Sequence, residues 1–210
     1  MAEPAFHEDD EAHRRLEELG LSWSDIEHAL LAADREARLY THLDPPNTPG
    51  IGRWGKTNRF LRERLTMRGW TYDNPRNLPR TIHPEGEFAI VATTGDECTG
   101  LRLPGMQPTT RYAKGPATAH LVERNERFVQ PALFEEEVPG EEIGEALAEV
   151  TGPTGGEPHV VWLLLYNAMP AEIRSELSLP LSITSKGYVD SWSERILLPA
   201  LAGKDLGEEA

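Results

Sequence analysis

Few residues in this chain have types and spacing suited to chemistry. The stretch "TTGDECTG" (93–100) places Asp96 and Glu97 beside the single cysteine, Cys98, in a turn bracketed by glycines. Adjacent carboxylates at a strand end are hard oxygen ligands for Mg2+ or Mn2+. With Lys114 to neutralise phosphate and Glu176 as a third acid, they would form a metal-dependent phosphodiester-cleaving site in which the ion activates water. The same residues also make an ordinary polar turn, where Gly, Asp and Glu are common. No catalytic residue, metal ligand or cofactor is assigned on this motif alone. Cys98 as a nucleophile would need a histidine close in space to form its thiolate, and an inert thiol is the simpler reading. "RYAKGPAT" (111–118) offers Arg111 and Lys114 as a phosphate-wrapping loop. It lacks the two glycines and the Lys–Ser/Thr pair of a P-loop.

The chain holds no HExxH, no GxSxG and no GxGxxG opening a helix after a strand. These absences weigh against common metalloprotease, hydrolase and dinucleotide chemistries. One cysteine cannot close an internal disulfide or build a cysteine zinc site. No signal peptide or membrane-spanning run is visible, so the expected location is the cytoplasm.

Charge carries more information. The formal net charge is −14 over 210 residues, yet residues 53–80 hold eight basic groups against two acidic ones. Residues 131–158 hold eight glutamates and no basic group. On a helix at 53–68, Trp54, Leu61 and Leu65 form a buried stripe. Lys56, Arg59 and Arg62 then lie on the outer arc, with Arg64 and Arg68 at its margins and Arg76 and Arg80 following. Phe60 and Met67 also point away from the stripe. An outer arc that mixes Phe, Met and Arg resembles a contact surface more than a solvated one. Its partner is expected to be another protein, with nucleic acid as the alternative.

The elements that must position these groups follow from periodicity. Residues 1–9 read as a loose tail, followed by helices at 10–19 and from about 22 to 40. "LEELGLSWSDIEHALLAA" has the outline of a helix-turn-helix, but Asp25 and Glu27 would meet DNA with negative charge. "DPPNTPG" (44–50) breaks the second helix, and the third starts near Arg53. Two strands flank the turn at 83–86, and the second, apolar on both faces, is central. A helix fits "ATAHLVERNERF", and 129–158 reads as a mobile acidic insertion. "HVVWLLLYN" (159–167) is a central strand. "EIRSELSLPLSI" (172–183) alternates strictly, as a half-solvated strand would. Pro180 should sit at an edge or face its missing donor outward. A last strand returns through "YVDSWSERILL" with a bulge near Trp192, and 201–210 is a frayed tail.

The expected fold is a single α+β domain at 10–200, with a helical part at 10–69 and a sheet part at 77–200. N-terminal helices would pack on one face of a mostly antiparallel sheet built from the C-terminal two-thirds. The expected function is that of a non-enzymatic accessory or regulatory protein acting by contact through 53–80. The alternatives are a DNA or RNA binder using the same face, or the metal-dependent enzyme above. A weaker one is acidic mimicry of nucleic acid by 131–158.

Overall fold

The computed structural model describes residues 3–129, 158 and 160–203. Among these residues, four α-helices and seven strands form an α+β architecture around one mixed sheet. The order along the chain is β1 (Ala5–His7), α1 (Asp9–Glu18), α2 (Trp23–Ala37), α3 (Thr48–Thr66), β2 (Thr71–Asp73), β3 (Arg80–Ile82), β4 (Phe88–Thr94), α4 (Pro116–Val129), β5 (Val160–Ala168), β6 (Glu172–Ile183) and β7 (Val189–Ala202). Across the sheet the order is β1-β7-β6-β5-β4-β3-β2. Pairs β1/β7 and β4/β5 are parallel and the others antiparallel.

Strands β4 and β5 are apolar on both sides because both sides are covered. Phe88, Ile90, Trp162 and Leu164 meet Leu16, Leu30, Leu61 and Leu65 of α1–α3. Ala89, Val91, Val161, Leu163 and Leu165 meet Leu121 of α4 together with Val189 and Trp192. Helices therefore do not keep to one face. The reason is topological: β4 and β5 are parallel, so the chain must cross over between them, and α4 is the helix of that crossover.

Three further expectations need correction. Residues 5–7 lie in the stretch read as a tail but pair with Glu194–Ile196 of β7. Phe6 lies under the guanidinium groups of Arg102 and Arg195, and His7 Nε2 sits 3.0 Å from Glu194. Helix α3 starts at Thr48 rather than near Arg53, because a proline in a first helical turn lacks only a donor that has no intrahelical partner there. Strand β6 is not half-solvated: Ser175, Glu176 and Ser178 are fully buried. The 129–158 insertion falls, from residue 130 to 157, outside the described residues, as do residues 204–210.

Two prolines leave gaps in the sheet that helix side chains fill. The β5/β6 register sets Leu163 opposite Ser178, which brings Pro180 opposite Val161. Contrary to expectation, Pro180 sits neither at an edge nor with its missing donor outward: β6 lies between β5 and β7, and Pro180 has no N–H to give towards Val161. Buried Asn125 of α4 takes the place of the ladder: its Nδ2 donates to Val161 O at 2.8 Å and to Pro180 O at 3.0 Å, and its Oδ1 accepts from Val161 N at 2.8 Å. Likewise Thr81 pairs with Ile90, so Pro79 falls opposite Ala92 and again lacks a donor. The indole N–H of Trp54, at the sheet-facing start of α3, donates to Ala92 O at 3.1 Å. Trp54 is thereby a partly exposed plug, not a core residue.

Candidate functional site

In the turn 95–100, Asp96 is tied into the hydrogen bonds of its own loop. Asp96 Oδ1 accepts the backbone N–H of Cys98 at 3.1 Å, closing an Asx turn. Asp96 N donates to Thr109 O, and Asn167 Nδ2 donates to Asp96 O. Glu97 is exposed. Cys98 is buried, and burial, then the nearby Asp96 and Glu97, pushes its thiol above the usual range, so it stays protonated.

Glu176 does meet this loop, but as a structural anchor. It forms a fully buried pair with Arg195, through Nε to Oε1 at 3.0 Å and Nη2 to Oε2 at 2.5 Å. Gly100 N donates to Oε2 at 2.8 Å and Ser178 Oγ to Oε1 at 2.7 Å. Arg195 Nη2 also donates to Leu101 O. The loop that leaves β4 thus lies back over β6 and β7, and Gly100, at φ +71°, passes so close that a Cβ would stand 3.1 Å from Ser175 N. The polar residues that alternate along β6 face this cover, not water. The sequence did not single the pair out, because β6 also carries Glu172 and Arg174 and β7 also carries Asp190 and Glu194.

Among the described residues, the group of three whose ligand atoms all lie within 4.8 Å of one another is His83, Glu85 and Glu87, and Asp96 and Glu97 belong to no such group of three. His83 Nδ1 already accepts the Glu85 N–H, and its ring is stacked on Phe88 with Trp70 edge-on. Of the predicted phosphate loop, Arg111 is exposed and the Lys114 amine donates to Thr93 Oγ1.

Comparison with family models, curated proteins and solved structures finds no match.

The basic stretch is largely neutralised by the protein's own acids. Asp25, buried near the start of α2, binds Arg64 at 2.9 Å and Arg68 at 2.7 Å. Burial raises the Asp25 pKa, but Ser22 and the two arginines more than offset this, so its carboxyl sits below the usual range. Asp34, also buried, joins Arg38 and Arg53. Lys56 pairs with Glu36, Arg59 with Glu63 and Arg80 with Asp73. Arg62 lies over Tyr72 and donates to Asp73 O and Arg80 O. Arg76 is exposed in the short 3-10 turn after β2, at φ +51°. In sequence Asp25 reads as an acid suited to the start of α2 and unsuited to meeting DNA. It is an internal clamp between α2 and α3.

Phe60 is also less outward than its helical position suggests. It packs partly on the core, with His28 edge-on and Arg59 over its ring. Met67, by contrast, is 74% exposed. One turn before it, Arg64 lines a shallow groove of about 330 Å³ with Ser24, Glu27, His28, Leu31 and Arg35. Arg35 is exposed and makes no ion pair among the described residues. The outer side of α2 and α3 thus combines apolar surface with a fringe of arginine.

Proposed function

We propose that this chain is a non-enzymatic accessory or regulatory protein that acts by contact with another protein through the outer side of α2 and α3. The observation that carries this reading is the exposed Met67, which follows by one helical turn the Arg64 that lines a groove together with Leu31 and Arg35. Large apolar side chains exposed next to arginine are the composition of a contact patch. Two facts support it over the alternatives. Of the acids of the metal-enzyme reading, Asp96 accepts the Cys98 N–H and Glu176 is paired with Arg195, while Glu97 is exposed. The arginines and the lysine of the nucleic-acid reading are mostly paired with the chain's own carboxylates, which reduces what they can offer phosphates.

The test is affinity capture with the tagged full chain and with Met67→Asp, Arg35→Glu and Asp96→Ala variants. A defined protein should be retained by the parent and by Asp96→Ala and lost with the first two. Salt-sensitive retention of DNA or RNA, abolished by Arg59→Ala with Arg62→Ala, would replace this reading with the binder. A rise in melting temperature with Mn2+ that disappears in Asp96→Ala would replace it with the enzyme.

A further inference from the structure

Lys114 lies outside that contact surface, and its surroundings suit another role. It follows β4 and precedes α4, at the carboxyl end of the parallel β4/β5 pair. There the chain leaves the sheet for the α4 crossover. Its backbone is fixed. Lys114 N donates to Gly187 O at 2.7 Å, and Gly187, at φ +84°, comes so near that a Cβ would stand 2.6 Å from Lys114 O. The amine donates to the hydroxyl of buried Thr93, and among the described residues no carboxylate pairs with it. Lys56, in contrast, has Glu36.

We propose that Lys114 is a carbonyl-reactive amine, a covalent site for small aldehydes or ketones, with the Thr93 hydroxyl as its proton relay. The free amine adds to the carbonyl carbon, forming the C–N bond while the carbonyl electron pair moves to oxygen. The proton leaving nitrogen passes through Thr93 to that oxygen, giving a carbinolamine. Loss of water then leaves the imine, so no oxidant or second substrate is consumed. A partly buried amine with a single neutral partner suits this chemistry, because its charged form is poorly solvated. Burial alone lowers its pKa from the ordinary lysine value to about 8. Near pH 7.5 the free-amine fraction is then about 200-fold larger than for an unperturbed lysine.

The experiment uses the full chain, limiting formaldehyde and cyanoborohydride, which traps the imine, followed by peptide mass spectrometry. Lys114 should be labelled at least about tenfold faster than Lys56 or Lys186, since lower basicity reduces nucleophilicity by less than the free-amine fraction rises. The rate should rise with pH to a plateau with its midpoint near 8. Thr93→Val should slow Lys114 labelling severalfold and leave Lys186 unchanged, with circular dichroism confirming that the variant is folded. If that variant does not fold, the parent's site ratio and pH profile decide alone. Labelling of Lys114 no faster than Lys186, or a midpoint near 10, would overturn the assignment.

Discussion

Replacing Glu176 by Gln tests whether this residue is an internal anchor or an accessible acid. Both members of the Glu176–Arg195 pair are fully buried, and the carboxylate receives two bonds from the guanidinium and one each from Gly100 N and Ser178 Oγ. Glutamine keeps the shape but removes the charge, and it turns an amide donor towards other donors. The guanidinium is left in a dry site without its counter-charge, at a cost of about 3–5 kcal/mol. For a chain of this size each kcal/mol moves the melting temperature by roughly 2–4 °C, so a fall of about 6–20 °C is expected. The assay is a urea and thermal unfolding cycle on Glu176→Gln, Arg195→Met and the double variant. The double variant removes the orphan charge. It should be less destabilised than the sum of the singles by more than about 2 kcal/mol, since the two groups are in direct contact. Additive losses, or a Glu176→Gln cost below about 1 kcal/mol, would show that Glu176 meets water. The loop 95–101 would then not cover the sheet, and the acid would return as a catalytic candidate.

Two further outcomes follow from groups already described. Lys114 loses its proton near pH 8 when folded but near the ordinary lysine value when unfolded, so between those values the unfolded chain binds more protons and stability rises with pH. Lys114→Met should therefore be more stable than the parent at pH 7, by up to about 3 kcal/mol, with the gap closing by about pH 10.5. Urea midpoints that stay parallel across this range would refute it. Asn125→Ala strands three backbone groups of the β5/β6 ladder and should cost more than about 3 kcal/mol, whereas Trp54→Phe strands one and should cost about 1 kcal/mol. Equal losses in denaturant titration would show that the two prolines are not bridged in this way.

The elements that declared themselves in sequence are those whose periodicity and burial agree. β4 and β5 read as central because both faces are apolar and both are covered. α4 was visible through Leu121 and Val122, and the irregularity opposite Trp192 lies where a bulge was expected, at Pro180. What stayed hidden depends on partners distant in sequence. The polar positions of β6 look solvated until the loop at 95–101, some 76 residues earlier, is laid over them. Asp25 reads as an exposed helix-start residue until Arg64 and Arg68 arrive from the far end of α3. The acids of "TTGDECTG" were legible as a turn, while their separation from any shared metal position was not, because spacing along the chain does not encode convergence in space.

The pairing of residues 5–7 with 194–196 also sets a timetable for folding. During synthesis β1 emerges long before β7, so the side of the sheet it closes must wait for the residues between them. Until then Phe6 has no Arg195 to rest on, and the guanidinium has no aromatic lid. This edge should therefore form late, as a three-residue stitch that reports completion of everything between.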